Sequence, residues 1–204
     1  MTLRHQSRRI PVRGGLSALA LLALLFSTSC RSNDAREVRT NYPPIERSAL
    51  GEMRNVSMIG SIWFGTMPGE EDLALAKRRG IRRVIDLSVS EELPCCDVPS
   101  ACRALGLEYL TPVLQDGEFL TAESVDLVLE WIEESGDTPI LMFDGSGGRC
   151  ACYLAIWRVT RLGVPLEVAL TEARRAGMKP GSPEDFVRSQ VDRLSAPAPA
   201  IAKR

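Results

Sequence analysis

The residues best placed for chemistry are Asp144-Gly145-Ser146-Gly147-Gly148-Arg149. They follow the most apolar run of the chain, Pro139 to Phe143, and lead into a helix-like stretch, Arg149 to Leu162. A strand, a tight glycine turn and a helix start make an anion site. Backbone N–H groups of the turn point inward, and the helix N-terminus adds partial positive charge. Arg149 supplies a forked donor at the mouth. The expected anion-binding residues are therefore Gly145, Ser146, Gly147, Gly148 and Arg149, with Asp144 at the base of the turn. Two common motifs are excluded. The glycines do not have the G-x-G-x-x-G spacing, and Asp144 stands where a G-x-S-x-G elbow around Ser146 needs glycine.

Histidine narrows the chemistry further. The only one is His5, inside the leader. The rest of the chain has no Ser-His or Cys-His pair and no histidine for a zinc site. No metal or cofactor is expected, and Ser146 has no histidine to act as its base.

The N-terminus points to export. Arg4 to Arg13 is basic, Leu16 to Phe26 is apolar or small, and Ser27-Thr28-Ser29 leads to Cys30. This is the layout of a secretory signal peptide over residues 1–29. The apolar core is too short for a bilayer span, which takes ~20 residues. The cysteine directly after the small residues resembles a bacterial lipoprotein lipobox, which makes Cys30 the expected lipidation site. Residues 30–55 read as a polar tether with Pro43-Pro44, residues 56–195 as the domain, and residues 196–204 as a flexible tail. Loss of the leader's four arginines takes the formal charge from −1 to −5. An acidic domain with no basic cluster is a poor nucleic-acid binder. Five cysteines remain beyond Cys30. In an oxidising compartment Cys95 or Cys96 would bond Cys102 or reach Cys150 or Cys152. The alternative is that several are small buried residues.

The elements that must position the turn alternate between strand and helix. Strands are expected at Ile59 to Gly65, Arg83 to Leu87, Glu108 to Val113 and Pro139 to Phe143. Helices are expected at Glu70 to Arg79, Ser100 to Leu105, Ala122 to Glu134, Arg149 to Leu162, Pro165 to Ala176 and Pro183 to Leu194. Thr121 is a good N-cap, with Ser124 three residues on. Val125, Val128, Leu129 and Ile132 share one face of their helix. The alternation predicts an α/β three-layer sandwich with a central, mostly parallel sheet of about four strands.

Phe143 to Arg149 resembles the signature loop of a bacterial branch of the tyrosine/dual-specificity phosphatases, the cysteine phosphatases. That branch reads His-Cys, two residues, Gly, one residue, Arg. The likeness runs from about Met58 to Leu194 and takes in IWFGTMPGEEDL, GIRRVIDL, LGLEYLTPV and GVPLEVALTEARRAGMK. It implies a cysteine-phosphatase fold, with Phe143 at the histidine position, Asp144 at the nucleophile position and Arg149 as phosphate-binding arginine. It also implies a general acid at Asp116, whose other reading is a turn residue before Gly117. The family's cysteine attacks phosphorus as a thiolate. An aspartate there is a much poorer nucleophile. Its oxygens can fill the phosphate's place and pair with Arg149. A phosphate dianion would meet like charge, worth ~4 kcal/mol per unit pair at about 4 Å and an effective dielectric near 20.

The functional expectation is an exported lipoprotein whose phosphatase-like domain is inactive, a pseudophosphatase that binds or scaffolds. The alternative is an active phosphatase on an unknown phosphomonoester, with Arg149 as clamp. The partners expected are an envelope protein or a phosphorylated ligand, with the membrane reached through a lipid anchor and no nucleic acid.

Overall fold

The computed structural model describes residues 42–89, 91, 92, 94, 96–112 and 121–196. The leader, Cys30, Cys95, Asp116 and the tail after 196 lie outside the described residues. The first strands are short: β1 (Glu46–Arg47), β2 (Ser57–Ile59) and β3 (Ile62–Thr66). Helix α1 (Glu70–Arg78) and strand β4 (Arg83–Asp86) follow. Next come α2 (Val98–Leu105), β5 (Glu108–Leu110) and α3 (Ala122–Ser135). The chain then runs through β6 (Ile140–Asp144), α4 (Gly148–Leu162), α5 (Leu166–Arg175) and α6 (Ser182–Ser195).

The sheet order is β1-β2-β3-β6-β4-β5. The pairs β3·β6, β6·β4 and β4·β5 are parallel, and β1·β2 and β2·β3 are antiparallel. The α/β class and the mostly parallel sheet are as the sequence predicts, but among the described residues the strands number six, not about four. The additional β1 and β2 are two and three residues long. No period-two pattern is readable over so few residues.

The inner strands β3, β4 and β6 bury both faces. Ile62 and Phe64 of β3, Ile85 of β4, and Ile140 and Met142 of β6 point into a core closed by α3 to α6. Val84, Leu141 and Phe143 point to the opposite core, closed by α1 and α2. This explains why the strands read as continuous apolar runs rather than as alternating ones. A fully buried side chain such as Phe64 contributes ~1.5–3 kcal/mol over exposure. α3 starts where its cap requires: Ser124 N–H donates to Thr121 Oγ1 at 3.1 Å.

The domain begins earlier than the expected boundary at residue 56. Leu50 is fully buried and Met53 nearly so. The guanidinium of Arg158 lies 5.4 Å from the Tyr42 ring centroid and donates to Pro43 O at 3.1 Å. The part of the expected tether from Tyr42 to Asn55 is thus packed structure. Its apolar residues are single and unevenly spaced, so no local pattern reveals their burial. Among the described residues no helix is long and apolar enough to cross a membrane.

Candidate functional site

The Asp144–Arg149 turn sits at the C-terminal end of β6, between β3 and β4, where Thr66 pairs with Asp144 and Asp86 with Phe143. Ligand sites of parallel sheets gather at this end, because strand ends and helix N-termini converge there. Gly147, the N-cap of α4, has φ of 84°, a left-handed backbone that favours glycine. A Cβ there would lie 3.4 Å from the backbone of Gly65. The turn is held from several sides. Asn55 Nδ2 donates to Ser146 O at 3.3 Å. Gly148 packs so closely on the α5–α6 connection that a Cβ would come 2.9 Å from Gly177 O.

Asp144 is fully buried and accepts four hydrogen bonds from its own loop. Oδ1 receives Ser146 N–H at 2.7 Å, Gly147 N–H at 2.8 Å and Ser146 Oγ–H at 3.0 Å; Oδ2 receives Cys150 N–H at 3.0 Å. The carboxylate fills the cradle from within, as the residue types suggested. Gly148 N–H is taken as well, by Ser146 Oγ at 3.2 Å. Ser146 is therefore locked as both donor and acceptor.

The expected pairing of Asp144 with Arg149 does not form. Arg149 Nε donates to Leu87 O at 2.8 Å, and its Nη2 pairs with Glu92. Glu92 Oε2 also accepts Gly145 N–H at 3.1 Å and Val89 N–H at 3.2 Å. Asp144 is consumed by backbone donors beneath the turn, which leaves the guanidinium at the mouth to a carboxylate from the β4–α2 loop. Sequence reasoning missed Glu92, since that loop has neither periodicity nor a motif around it.

Two clefts meet at this pair. Ser146, Gly148, Arg149, Cys152 and Lys179 line one of about 200 Å³, with Glu92 at its edge. Arg54, Thr66, Asp72 and Gly145 line the other, of about 540 Å³, again with Glu92. Lys179, also unforeseen, comes from the α5–α6 connection, which the Arg174–Glu184 pair spans at 2.6 Å.

The thiols near the turn are held toward the protonated form. Burial, reinforced by the charge of Asp144, pushes Cys152 up to about 12 and Cys150 well above the usual thiol range. Cys102, Cys150 and Cys152 are unbridged thiols. Cys102 belongs to the α1–α2 core, and Cys150 and Cys152 to the opposite one. The bond expected from Cys95 or Cys96 to Cys102, Cys150 or Cys152 therefore does not form, and the buried-residue reading holds for these three. Asp116, the expected general acid, lies outside the described residues. Among the described residues no group of three or more His, Cys, Asp or Glu side chains could hold a metal.

Comparison with solved structures places this architecture. Tk-PTP in its active form superposes with a TM-score of 0.56 at 26% identity, covering 66% of this chain and 92% of that one. TpbA from P. aeruginosa gives 0.59 at 19%, over 74% and 94%. Kinase associated phosphatase, solved with its catalytic-site cysteine replaced by serine, gives 0.58 at 16%, over 66% and 88%. The domain is phosphatase-like. No protein-family model matches the sequence, and no curated protein matches it. In this phosphatase-like domain the N–H groups of the turn after β6 are taken by Asp144 from beneath and by Glu92 at the mouth.

Proposed function

We propose that this chain is an exported lipoprotein whose phosphatase-like domain no longer turns over phosphoesters and serves as a binding or scaffold module in the cell envelope. One observation carries the reading: a fully buried carboxylate, Asp144, holds the loop donors that a phosphate would need. By resemblance Asp144 stands at the nucleophile position, where the cysteine phosphatases use a thiolate. The nearby thiols are pushed up in pKa by burial, and the Ser146 hydroxyl is committed to Asp144 as donor and to Gly148 N–H as acceptor. Arg149, the clamp of the alternative active enzyme, is engaged by Glu92. The site thus keeps the family's anion-binding frame without a competent nucleophile and with its inner donors taken, an arrangement suited to holding an envelope protein rather than cleaving a phosphoester. The basic and apolar leader followed by Cys30 supports the membrane anchor,.

The test is hydrolysis of an aryl phosphate by the mature chain, with and without Mg²⁺. No turnover is expected above an Arg149→Ala control. Turnover by wild type that Asp144→Ala abolishes would make Asp144 catalytic and remove the reading. Mass spectrometry of the mature N-terminus checks the anchor, with a lipid-modified Cys30 as the expected result and an unmodified Cys30 as the refutation.

A further inference from the structure

Glu92 is held as a ligand would be held. Its Oε2 collects two backbone N–H groups, Gly145 at 3.1 Å and Val89 at 3.2 Å, together with the Arg149 guanidinium. The Glu92 side chain is 25% exposed and that of Arg149 14% exposed, so the contact lies at the surface end of the turn and opens to both clefts. The deeper donors are committed elsewhere. Ser146, Gly147 and Cys150 N–H belong to Asp144, and Gly148 N–H to Ser146 Oγ. Departure of Glu92 would release donors that suit one carboxylate, too few for the three terminal oxygens of a phosphomonoester.

Charge points the same way. Asp144 and Glu92 balance Arg149 and Lys179 around the cleft. A second carboxylate in place of Glu92 keeps that balance, whereas a phosphomonoester dianion adds a surplus charge above a buried aspartate.

We propose that the mouth of this turn is a carboxylate-binding site, occupied by Glu92 as an internal ligand and filled in the complex by a glutamate side chain of an acidic partner peptide. The inference rests on the inactive reading of the domain and gives its site a ligand class. Glu92 then sets the threshold for binding. It competes at the effective concentration of a tethered group, so only a peptide with further contacts along the Arg54 or Lys179 cleft displaces it.

The experiment titrates the mature Glu92→Gln protein with three blocked tripeptides that differ in the central residue: glutamate, glutamine or phosphoserine. The readouts are the ¹⁵N–¹H signals of Gly145 and of Arg149 Nε. The glutamate peptide should give saturable shifts, the glutamine peptide none, and the phosphoserine peptide binding weaker by about five-fold or more. Wild type should bind the glutamate peptide about ten-fold more weakly than the variant, because the internal carboxylate competes. Arg149→Ala placed in the Glu92→Gln background should abolish the response. Glu92→Asp, which keeps the charge but is one methylene shorter, should fall between wild type and Glu92→Gln, and it provides the measurement if the glutamine variant folds poorly. Preference for phosphoserine, or no shift with glutamate in either variant, overturns the proposal. Aryl phosphate turnover by wild type would instead overturn the inactive reading beneath it, so the two failures are separate.

Discussion

Arg149 and Asp144 share one six-residue turn, yet the ion pair of Arg149 is with Glu92, from a loop more than fifty residues earlier in the chain. Asp144 is satisfied by backbone donors below the turn, and Glu92 caps it from above. Two carboxylates therefore share the work expected of one. The inner carboxylate supports the fold of the loop, while the outer one controls access to it.

The inner carboxylate is the first to test. Asp144→Ala leaves Ser146 N–H, Gly147 N–H, Cys150 N–H and the Ser146 hydroxyl without their acceptor. A loss of about 2–4 kcal/mol is expected, since each buried orphan costs ~1–3 kcal/mol and water recovers part of it. Inorganic phosphate should restore part of the melting temperature of this variant and none of the wild type's. The effect should be larger in Asp144→Ala/Glu92→Gln. Differential scanning calorimetry with and without phosphate measures both, and a wild type equally stabilised by phosphate contradicts a filled cradle.

Two glycines of the same turn should respond differently. A Cβ on Gly145 would come within 2.2 Å of Glu92 Oε1, the end of a flexible side chain. Gly145→Ala should displace that carboxylate at a cost under about 1 kcal/mol, the usual worth of a partly exposed ion pair. A Cβ on Gly148 would meet the backbone oxygen of Gly177 at 2.9 Å. A backbone atom cannot step aside, so Gly148→Ala should cost about 1–3 kcal/mol through overpacking. Urea unfolding of the two variants ranks them, and equal losses would contradict the geometry.

Arg158 ties the N-terminal segment to the domain. It is fully buried, pairs with Glu172, donates to Pro43 O and stacks on Tyr42. Its Nε has no hydrogen-bond partner among the described residues, and burial holds its pKa below the ordinary arginine value. Arg158→Ala should cost about 3–5 kcal/mol, the usual result of removing one partner of a buried pair. It should also expose the Tyr42 to Ile45 segment to limited proteolysis. A loss below 1 kcal/mol, or unchanged cleavage, would show that the arginine does not carry this contact.

The buried thiols give the stability a defined pH dependence. Burial raises Cys102 to about 11 and Cys152 to about 12, above the ordinary thiol value of 9.0. Above pH 9 the unfolded chain releases these protons while the folded chain keeps them. The unfolded state then binds fewer protons, so unfolding free energy falls as pH rises. The contribution is complete below pH 9 and is lost as pH climbs toward 11 to 12. Urea titrations at pH 8 and pH 10 should show the decline, and Cys152→Ala should reduce its slope. A stability that rises over this window would contradict the sign.

The sequence by itself determined the elements and the local chemistry of the turn. Six helices and the four parallel strands were legible, because apolar spacing, caps and glycine stops act within a few residues. The filling of the cradle by Asp144 was legible for the same reason: its donors all lie within six residues of it in the chain. What needed the tertiary structure was every contact between distant segments. Leu50 and Met53 gain their burial only when the sheet and α1 enclose them. Cys102 is kept from Cys150 and Cys152 by a sheet that no spacing rule reveals. Glu92, one of two consecutive glutamates in a patternless loop, becomes the partner of Arg149 only because β4 and β6 lie side by side and bring their C-terminal loops together. An ion pair depends on distance in space, and in this domain the parallel sheet sets that distance.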